Sequence, residues 1–183
     1  MIEETVRRSP VIDELLDRLP GLLPSDWWLA SGCVFQTVWN DVTGRPLDHG
    51  IRDHDVVYWD ADTSWEAEDT VIRRCADAGL PGAVEVRNQA RVHLWYPERF
   101  GAPCPPFRSA GEGIDHFPAH CSAVGVRPGA VHAPFGLDDV FDLVVRPNPV
   151  LVTQDRYEEK AARWKSLWPE ATVMAWDHQT PTG

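Results

Sequence analysis

The sequence predicts an α/β or α+β domain in which a mixed sheet is flanked by helices. Short apolar runs with β-branched residues alternate along the chain with longer segments whose apolar residues recur every three or four positions. The 183 residues, 43% of them hydrophobic, suffice to bury one core without a disulfide or a structural metal. We therefore expect a single domain over residues 1–183, with 1–8 and 177–183 as loose tails.

The first half of the chain alternates between helix and strand signals. Helix starts are marked by serines, either before a proline that fits the first turn or within a capping box, and the strands are short apolar runs. In order, the predicted elements are a helix after Ser9–Pro10, a strand over 26–30, a helix over 32–43, a strand over 53–59 and a helix over 64–78.

The second half has shorter signals separated by proline-rich loops. Residues alternate in polarity where strands are expected, and apolar residues follow helical spacing elsewhere. The predicted elements are strands over 83–87, 91–95, 123–126, 130–133 and 171–176, a short helix after Ser109, a helix with the stripe Leu137, Val140, Phe141 and Val144, and a last helix with Tyr157, Ala161, Trp164 and Trp168 on one face.

Charge and cysteine content narrow the classes of function. The formal net charge of −11 argues against a protein that binds extended duplex nucleic acid, although a local basic pocket for one nucleotide remains compatible with it. The first ten residues lack the apolar core of a signal peptide, and no apolar run approaches the roughly 20 residues of a membrane span. The four cysteines form no CxxC pair. We expect reduced thiols and a cytoplasmic location.

The triplet Asp53-His54-Asp55 is the strongest candidate for a functional site. Alternate residues of a strand share a face, about 6.5 to 7 Å apart, so the two carboxylates would lie together. They precede the apolar run VVYW, where an uncompensated pair of like charges costs stability. Carboxylates at this spacing suit Mg²⁺ or Mn²⁺. Glu85, on the next strand, is the expected third acid ahead of Asp60, and its alternative is an exposed strand residue.

A turn at Ser31–Gly32 is the candidate phosphate site. It lies between a short strand and a helix, so that free backbone N–H groups and the helix dipole could receive a phosphate. The alternative is an ordinary helix start. Arg87, Arg91 and His93 could complete an electrostatic clamp around the same anion, although each alone is typical of a surface charge.

Two other metal sites are weighed against this one. A His-Asp phosphohydrolase needs its His-Asp pair on a helix, whereas His54–Asp55 leads into a strand pattern. A zinc site could use residues spaced along one helix face, but the chain offers no second Cys or His pair at a standard spacing. The residues of that candidate zinc site are Glu112, His116, His120 and Cys121.

Five segments resemble a known family: ASGCVFQTVWN, DHDVVYWD, VEVRNQARVHLWY, APFGLDDVFDLVVRPNP and KAARWKSLWP. They are similar to a prokaryotic family of nucleotidyltransferase-like proteins formerly called a domain of unknown function, within the superfamily of DNA polymerase β and the CCA-adding enzymes. The resemblance covers about Trp28 to Trp168. It implies a two-metal nucleotidyl transfer fold, with Ser31 and Gly32 as the phosphate turn and Asp53 and Asp55 as the metal pair.

This sequence departs from the superfamily pattern at two points. The turn is usually Gly-Gly or Gly-Ser, and the order here is Ser-Gly. The third acid is not apparent from the motifs, which leaves Glu85 or a substituted Asn88 in its place. Two functions are therefore expected: Mg²⁺-dependent transfer of a nucleotidyl group from an NTP to an unknown acceptor, or a catalytically silent protein that binds a nucleotide or a protein partner.

Overall fold

The computed structural model describes residues 2–176 and has a five-stranded mixed sheet at its centre. The sheet order is β3-β2-β1-β4-β5; β2 and β3 are parallel and the other neighbours are antiparallel. The flanking helices confirm the predicted class. The strands are β1 (Trp27–Ala30), β2 (His54–Tyr58), β3 (Val84–Asn88), β4 (Gly125–Arg127) and β5 (Ala130–His132).

Eight helices and a small second sheet surround this centre within residues 2–176. Two of the predicted serine caps are present: Ser64 Oγ accepts from Ala67 N at 3.3 Å, and Ser109 Oγ accepts from Glu112 N at 3.0 Å. None of these helices has the length and apolar character needed to cross a membrane. The helices are α1 (Ile2–Arg7), α2 (Pro10–Arg18), α3 (Gly32–Val42), α4 (Trp65–Asp77), α5 (Val92–Phe100), α6 (Ala110–Asp115), α7 (Asp138–Phe141) and α8 (Gln154–Leu167); the second sheet pairs β6 (Val144–Val145) with β7 (Thr172–Val173).

The N-terminal segment is not a loose tail. Residues 2–7 form α1, and the side chains of Ile2 and Val6 are buried in the main hydrophobic cluster. The expectation for 1–8 was wrong because a stretch of only seven or eight residues shows too little periodicity to reveal which of its faces packs. The other expected tail, 177–183, lies outside the described residues.

The strand predicted over 91–95 is wrong. The side chain of Asn88 accepts a hydrogen bond from Ala90 N at 3.1 Å and turns the chain out of the sheet through a 3-10 turn over Gln89–Arg91. The helix α5 follows, with Val92 and Tyr96 buried four positions apart on one face. The polar-apolar alternation of this segment therefore came from a helix whose charged residues happen to alternate.

The helical stripe predicted to run from Leu137 to Val144 is only partly right. The helix α7 ends at Phe141, and Leu143 has a left-handed φ of 55°, which breaks the helix. Val144 instead begins β6 and pairs with Thr172.

Tryptophans fix α8 against α3. Trp39 and Trp168 are fully buried and their rings meet edge to face, with centroids 5.4 Å apart. Trp168 Nε1 donates to Asn40 Oδ1 at 2.9 Å, so the polar atoms of this contact are also satisfied. Deleting a buried aromatic side chain costs about 3 to 5 kcal/mol. The packing therefore fixes the position of α8, whose other face lines a cavity together with Asp55 of β2.

Candidate active site

The start of β2 lies beside the start of β3 at the candidate site. Asp55 is the cross-strand partner of Glu85 in the parallel register. In-register residues of adjacent strands point to the same face, about 4.8 Å apart across the ladder. Asp53 precedes the strand by one residue and acts electrostatically on Asp55. The structure thus brings together the three carboxylates that the sequence analysis selected.

The carboxylate of Asp55 is poorly compensated. Burial, followed by the charges of Asp53 and Glu85, raises the pKa of Asp55 to about 7, against a weaker opposing effect of Lys160 and Arg87. Within residues 2–176, neither Asp53 nor Asp55 has a cationic side chain within ion-pair distance. Carboxylates that share a site without a counter-ion are typical of functional positions.

The turn between β1 and α3 lies next to these acids. Ala30 is the antiparallel partner of Asp55, and Ser31 follows it with φ 59° and ψ −126°, a conformation that L residues rarely adopt. The Ser31 side chain does not cap α3, and it lines the cavity with Asp55. A Cβ on Gly32 would lie 3.1 Å from Gln36 Nε2, so a residue without a side chain suits the first position of the helix.

One cavity of about 270 Å³ connects these elements. Ser31, Asp55 and Glu85 line one part of it. Aromatic residues line another part, so the cavity offers both polar atoms and flat apolar surface, as small-molecule sites commonly do. The aromatic residues are Trp95, Tyr96, Phe100, Phe107 and Phe117.

Cationic residues of α8 also line the cavity, and the sequence analysis missed them. Lys160 and Arg156 both border it. Burial, with repulsion from Arg156 and Arg163, lowers the pKa of Lys160, while Asp55 and Asp53 act in the opposite direction. The sequence does contain a signal, because Arg156, Lys160 and Arg163 follow the i, i+4, i+7 spacing of one helix face. The apolar stripe of the same helix drew attention away from it.

The predicted phosphate clamp is divided between two places. Arg87 lines the cavity, and its Nη2 lies 3.8 Å from Glu85 Oε2. Arg91 is instead held away from the cavity: its Nε lies 2.8 Å from Glu68 Oε2, and its guanidinium also donates to Thr63 O. His93 lies on α5, where its Nδ1 is buried without a hydrogen-bond partner.

Asp60 and Asn88, the other candidates for a third acid, lie at the far end of the strands. Asp60 N donates to Asn88 Oδ1 at 3.1 Å, and Asn88 Nδ2 donates to Asp60 O at 3.0 Å. This pair joins the ends of β2 and β3, away from Asp55. Glu85 is therefore the acid that the strand register supports.

The two alternative metal sites find no support. His54 points to the opposite face of β2 from Asp55, and a Cβ on Gly82 would lie 2.9 Å from its ring. His116 follows α6, with its ring 4.7 Å from that of Phe107. His120 lies separately, in a 3-10 turn.

Over residues 2–176, no three His, Cys, Asp or Glu side chains are arranged to hold a metal by themselves. Magnesium, however, is usually bound by one or two carboxylates together with substrate phosphates and water, rather than by a protein cage. The oxygen-only donor set of Asp53, Asp55 and Glu85 fits that mode of binding.

Comparison with known proteins agrees with the motif resemblance. A family model described as "Nucleotidyltransferase" matches residues 21–173. A solved structure, "The NMR structure of the protein reveals a CCA-adding enzyme head domain", is similar with a TM-score of 0.75 and 26% sequence identity, covering 96% of this chain and 95% of that chain. No curated protein matches the chain.

Proposed function

The chain belongs to a nucleotidyltransferase family, and from that premise we propose that it moves a nucleotidyl group from an NTP to an acceptor with the help of Mg²⁺. The observation that carries the proposal is the register of Asp55 with Glu85, in one cavity with the adjacent Ser31 turn. Nucleotidyl transfer uses carboxylates to hold metal ions at the reacting phosphate, and a helix start can bind the other phosphates of the NTP.

Asp53, Asp55 and Glu85 are the residues that would hold Mg²⁺ or Mn²⁺. Burial, and then repulsion from Asp53 and Glu85, raises the pKa of Asp55 to about 7, and a divalent cation would relieve that repulsion. When bound, the metal would neutralise the triphosphate and make the acceptor hydroxyl more acidic.

The chain's own residues bind the nucleotide and receive the proton. The Ser31 hydroxyl and the N–H groups at the start of α3 bind phosphate oxygens, supported by the helix dipole. Arg87 adds a positive charge beside the same cavity. An acceptor oxygen forms a bond to the α-phosphorus while the bond to the β-phosphate bridging oxygen breaks, and pyrophosphate leaves with that electron pair. The acceptor proton passes to Glu85, the acid whose side chain is 52% exposed.

A second function is a silent protein that binds a nucleotide without transferring it, or that binds a protein partner. The observation in its favour is that the three carboxylates do not by themselves form a metal-holding group among residues 2–176. The Ser-Gly order of the turn, reversed from the usual Gly-Ser, points in the same direction.

Labelled transfer separates the two functions. Wild-type protein is incubated with Mg²⁺, each NTP labelled on the α-phosphate, and RNA, protein and small-molecule hydroxyl acceptors. We expect a labelled product that Asp55→Asn abolishes and that Asp60→Asn retains, since Asp60 lies at the other end of β2 and Asn keeps the oxygen that accepts from Asp62 N. Undiminished labelling by Asp55→Asn would contradict the mechanism. Metal-dependent thermal stabilisation by an NTP without any product would favour the silent protein.

A further inference from the structure

The helix α8 carries three cations on one face. Arg156, Lys160 and Arg163 follow the i, i+4, i+7 spacing that places side chains in one row along a helix. We refer to these three residues as the basic stripe. The apolar row of the same helix, including Tyr157 and Trp164, packs into the core and thereby fixes the direction in which the basic stripe points.

Two residues of the basic stripe border the cavity that contains the carboxylates. Lys160 and Arg156 line it together with Asp55. The Arg156 guanidinium lies 3.9 Å from the centroid of the Phe100 ring, which positions it at the aromatic part of the cavity. Within residues 2–176, no hydrogen bond or ion pair holds the ammonium group of Lys160.

The positive charges of the basic stripe are not fully compensated. Arg163 donates through Nη2 to Gly50 O at 2.9 Å, but its Nε is buried without a partner. Burial, and then repulsion from Arg52, lowers the pKa of Arg163, just as the two arginines of the stripe act on Lys160. Half-buried cations without counter-ions cost stability, and two of these three, Arg156 and Lys160, lie at the cavity wall, which indicates an anionic ligand there.

Two other cations near the carboxylates already have an acidic neighbour. Arg87 lies 3.8 Å from Glu85, and Arg91 is paired with Glu68 at 2.8 Å. A triphosphate that approaches Asp53, Asp55 and Glu85 meets three like charges and needs compensating donors close by. Guanidinium and ammonium groups are the side chains that bind phosphate oxygens most strongly.

We propose that the basic stripe binds the β- and γ-phosphates of the nucleotide, and the pyrophosphate derived from them, while the α-phosphate faces the carboxylates. This inference rests on the proposed function for the identity of the nucleotide. It assigns to α8 a role in substrate binding in addition to its role in packing. Lys160 makes the largest contribution, because it lines the cavity together with Asp55 and no described residue pairs with its ammonium group.

Calorimetric titration with inorganic tripolyphosphate in buffer containing Mg²⁺ tests the assignment. We expect Lys160→Gln to weaken tripolyphosphate binding about tenfold or more, the loss of one charge-assisted hydrogen bond. Lys160→Arg should keep most of the affinity because the charge is retained. Arg73→Gln is the matched control, since it removes one positive charge from α4 at a side chain that is 75% exposed.

The outcomes separate this inference from the proposed function. Tripolyphosphate affinity that is equal in wild type and Lys160→Gln, or absent from the wild type, overturns the inference. Stripe-dependent binding without any labelled product supports the inference and contradicts nucleotidyl transfer. Where product forms, Lys160→Gln should raise KM for the NTP and weaken inhibition by pyrophosphate more than it lowers kcat. If Lys160→Gln does not fold, Arg156→Gln gives the same readout, and unchanged binding by that variant overturns the proposal.

Discussion

Two acidic residues lie beside the parallel strands β2 and β3 in opposite electrostatic environments. Glu68 is only 4% exposed, and both of its oxygens are engaged: Oε2 lies 2.8 Å from Arg91 Nε, and Oε1 accepts from Asn88 N at 2.9 Å. We call these three residues the Glu68 network. Asp55, at the other end of the same strands, has no cation within ion-pair distance among the described residues. Burial, and then the charges of two nearby carboxylates, raise its pKa to about 7.

The two serines that begin helices in these regions differ in the same way. Ser64 has ordinary extended backbone angles and caps α4 through its hydroxyl. Ser31 has a positive φ of 59°, and its hydroxyl does not cap α3. Satisfied charges and relaxed caps stabilise a fold, whereas unmet charge and backbone strain persist where a ligand completes the structure. The comparison therefore assigns stability to the Glu68 network and function to the Asp55 end.

The largest expected effect is that of Asp55→Asn on activity. Loss of one positioned charge in an active site typically lowers the rate by about 10²- to 10³-fold. Stability should not fall, because the substitution removes a carboxylate that is repelled by Asp53 and Glu85. Labelled-product formation and urea unfolding at pH 8 measure the two quantities. A clear loss of stability with unchanged activity would make Asp55 a structural residue and remove the contrast.

Glu68→Gln should show the reverse pattern. Removing one member of a buried ion pair leaves Arg91 without its counter-charge, and such changes cost about 3 kcal/mol. Urea unfolding measures the loss, and kcat per folded molecule should stay near that of the wild type. Glu66→Gln, an exposed glutamate on the same helix, is the control. A stability change no larger than that of the control would contradict the assignment of stability to the Glu68 network.

The sequence predicted much of the fold where the deciding interactions are local. The capping serines Ser64 and Ser109 marked helix starts that the structure has, and the apolar runs around Asp55 and Glu85 marked adjacent strands. Residues 91–95 alternate in polarity and were therefore predicted to form a strand. The structure differs because the side chain of Asn88 ends β3, an interaction that no alternation pattern shows.

The site was predictable only in the part carried by neighbouring strands. Asp55 and Glu85 follow from the order of the elements, since a strand, a helix and a second strand commonly form a parallel pair. Lys160 lies more than 100 residues further along the chain than Asp55 and reaches the cavity only because Trp164 and Trp168 anchor α8. Arg91 was predicted to belong to the phosphate clamp. Its actual partner, Glu68, lies on α4, and the sequence does not show that the two side chains meet.

The raised pKa of Asp55 gives a smaller effect that depends on pH. The folded-state pKa is about 7 and the ordinary value is 3.8, so between these values the folded state binds more protons than the unfolded state. Stability therefore falls as pH rises from about 4 to 7. The contribution is on the order of 2 kcal/mol, since one pKa unit is about 1.4 kcal/mol and solvent reaches part of the side chain.

Urea unfolding of the wild type and Asp55→Asn at pH 5 and pH 8 isolates this contribution from the other titrating groups. The free energy of unfolding of the wild type should drop more between the two values than that of Asp55→Asn. Added Mg²⁺ should restore stability at pH 8 in the wild type alone. Parallel pH profiles for the two proteins would show that Asp55 is as well compensated as Glu68.

The smallest expected effect concerns Ser31, where the backbone and the hydroxyl can be separated. Ser31→Gly should stabilise the protein by about 1 kcal/mol, because glycine adopts φ 59° without strain. Ser31→Ala keeps the strain and removes only the hydroxyl. Both variants should bind tripolyphosphate several-fold more weakly than the wild type, by roughly the 1 kcal/mol of one hydrogen bond.

At Ser64, whose backbone is relaxed, the order of stability should reverse, with both Gly and Ala below Ser through loss of the cap. If Ser31→Gly is instead destabilising while both variants keep full tripolyphosphate affinity, the turn is an ordinary helix start, and the contrast between the two regions rests on the charges alone.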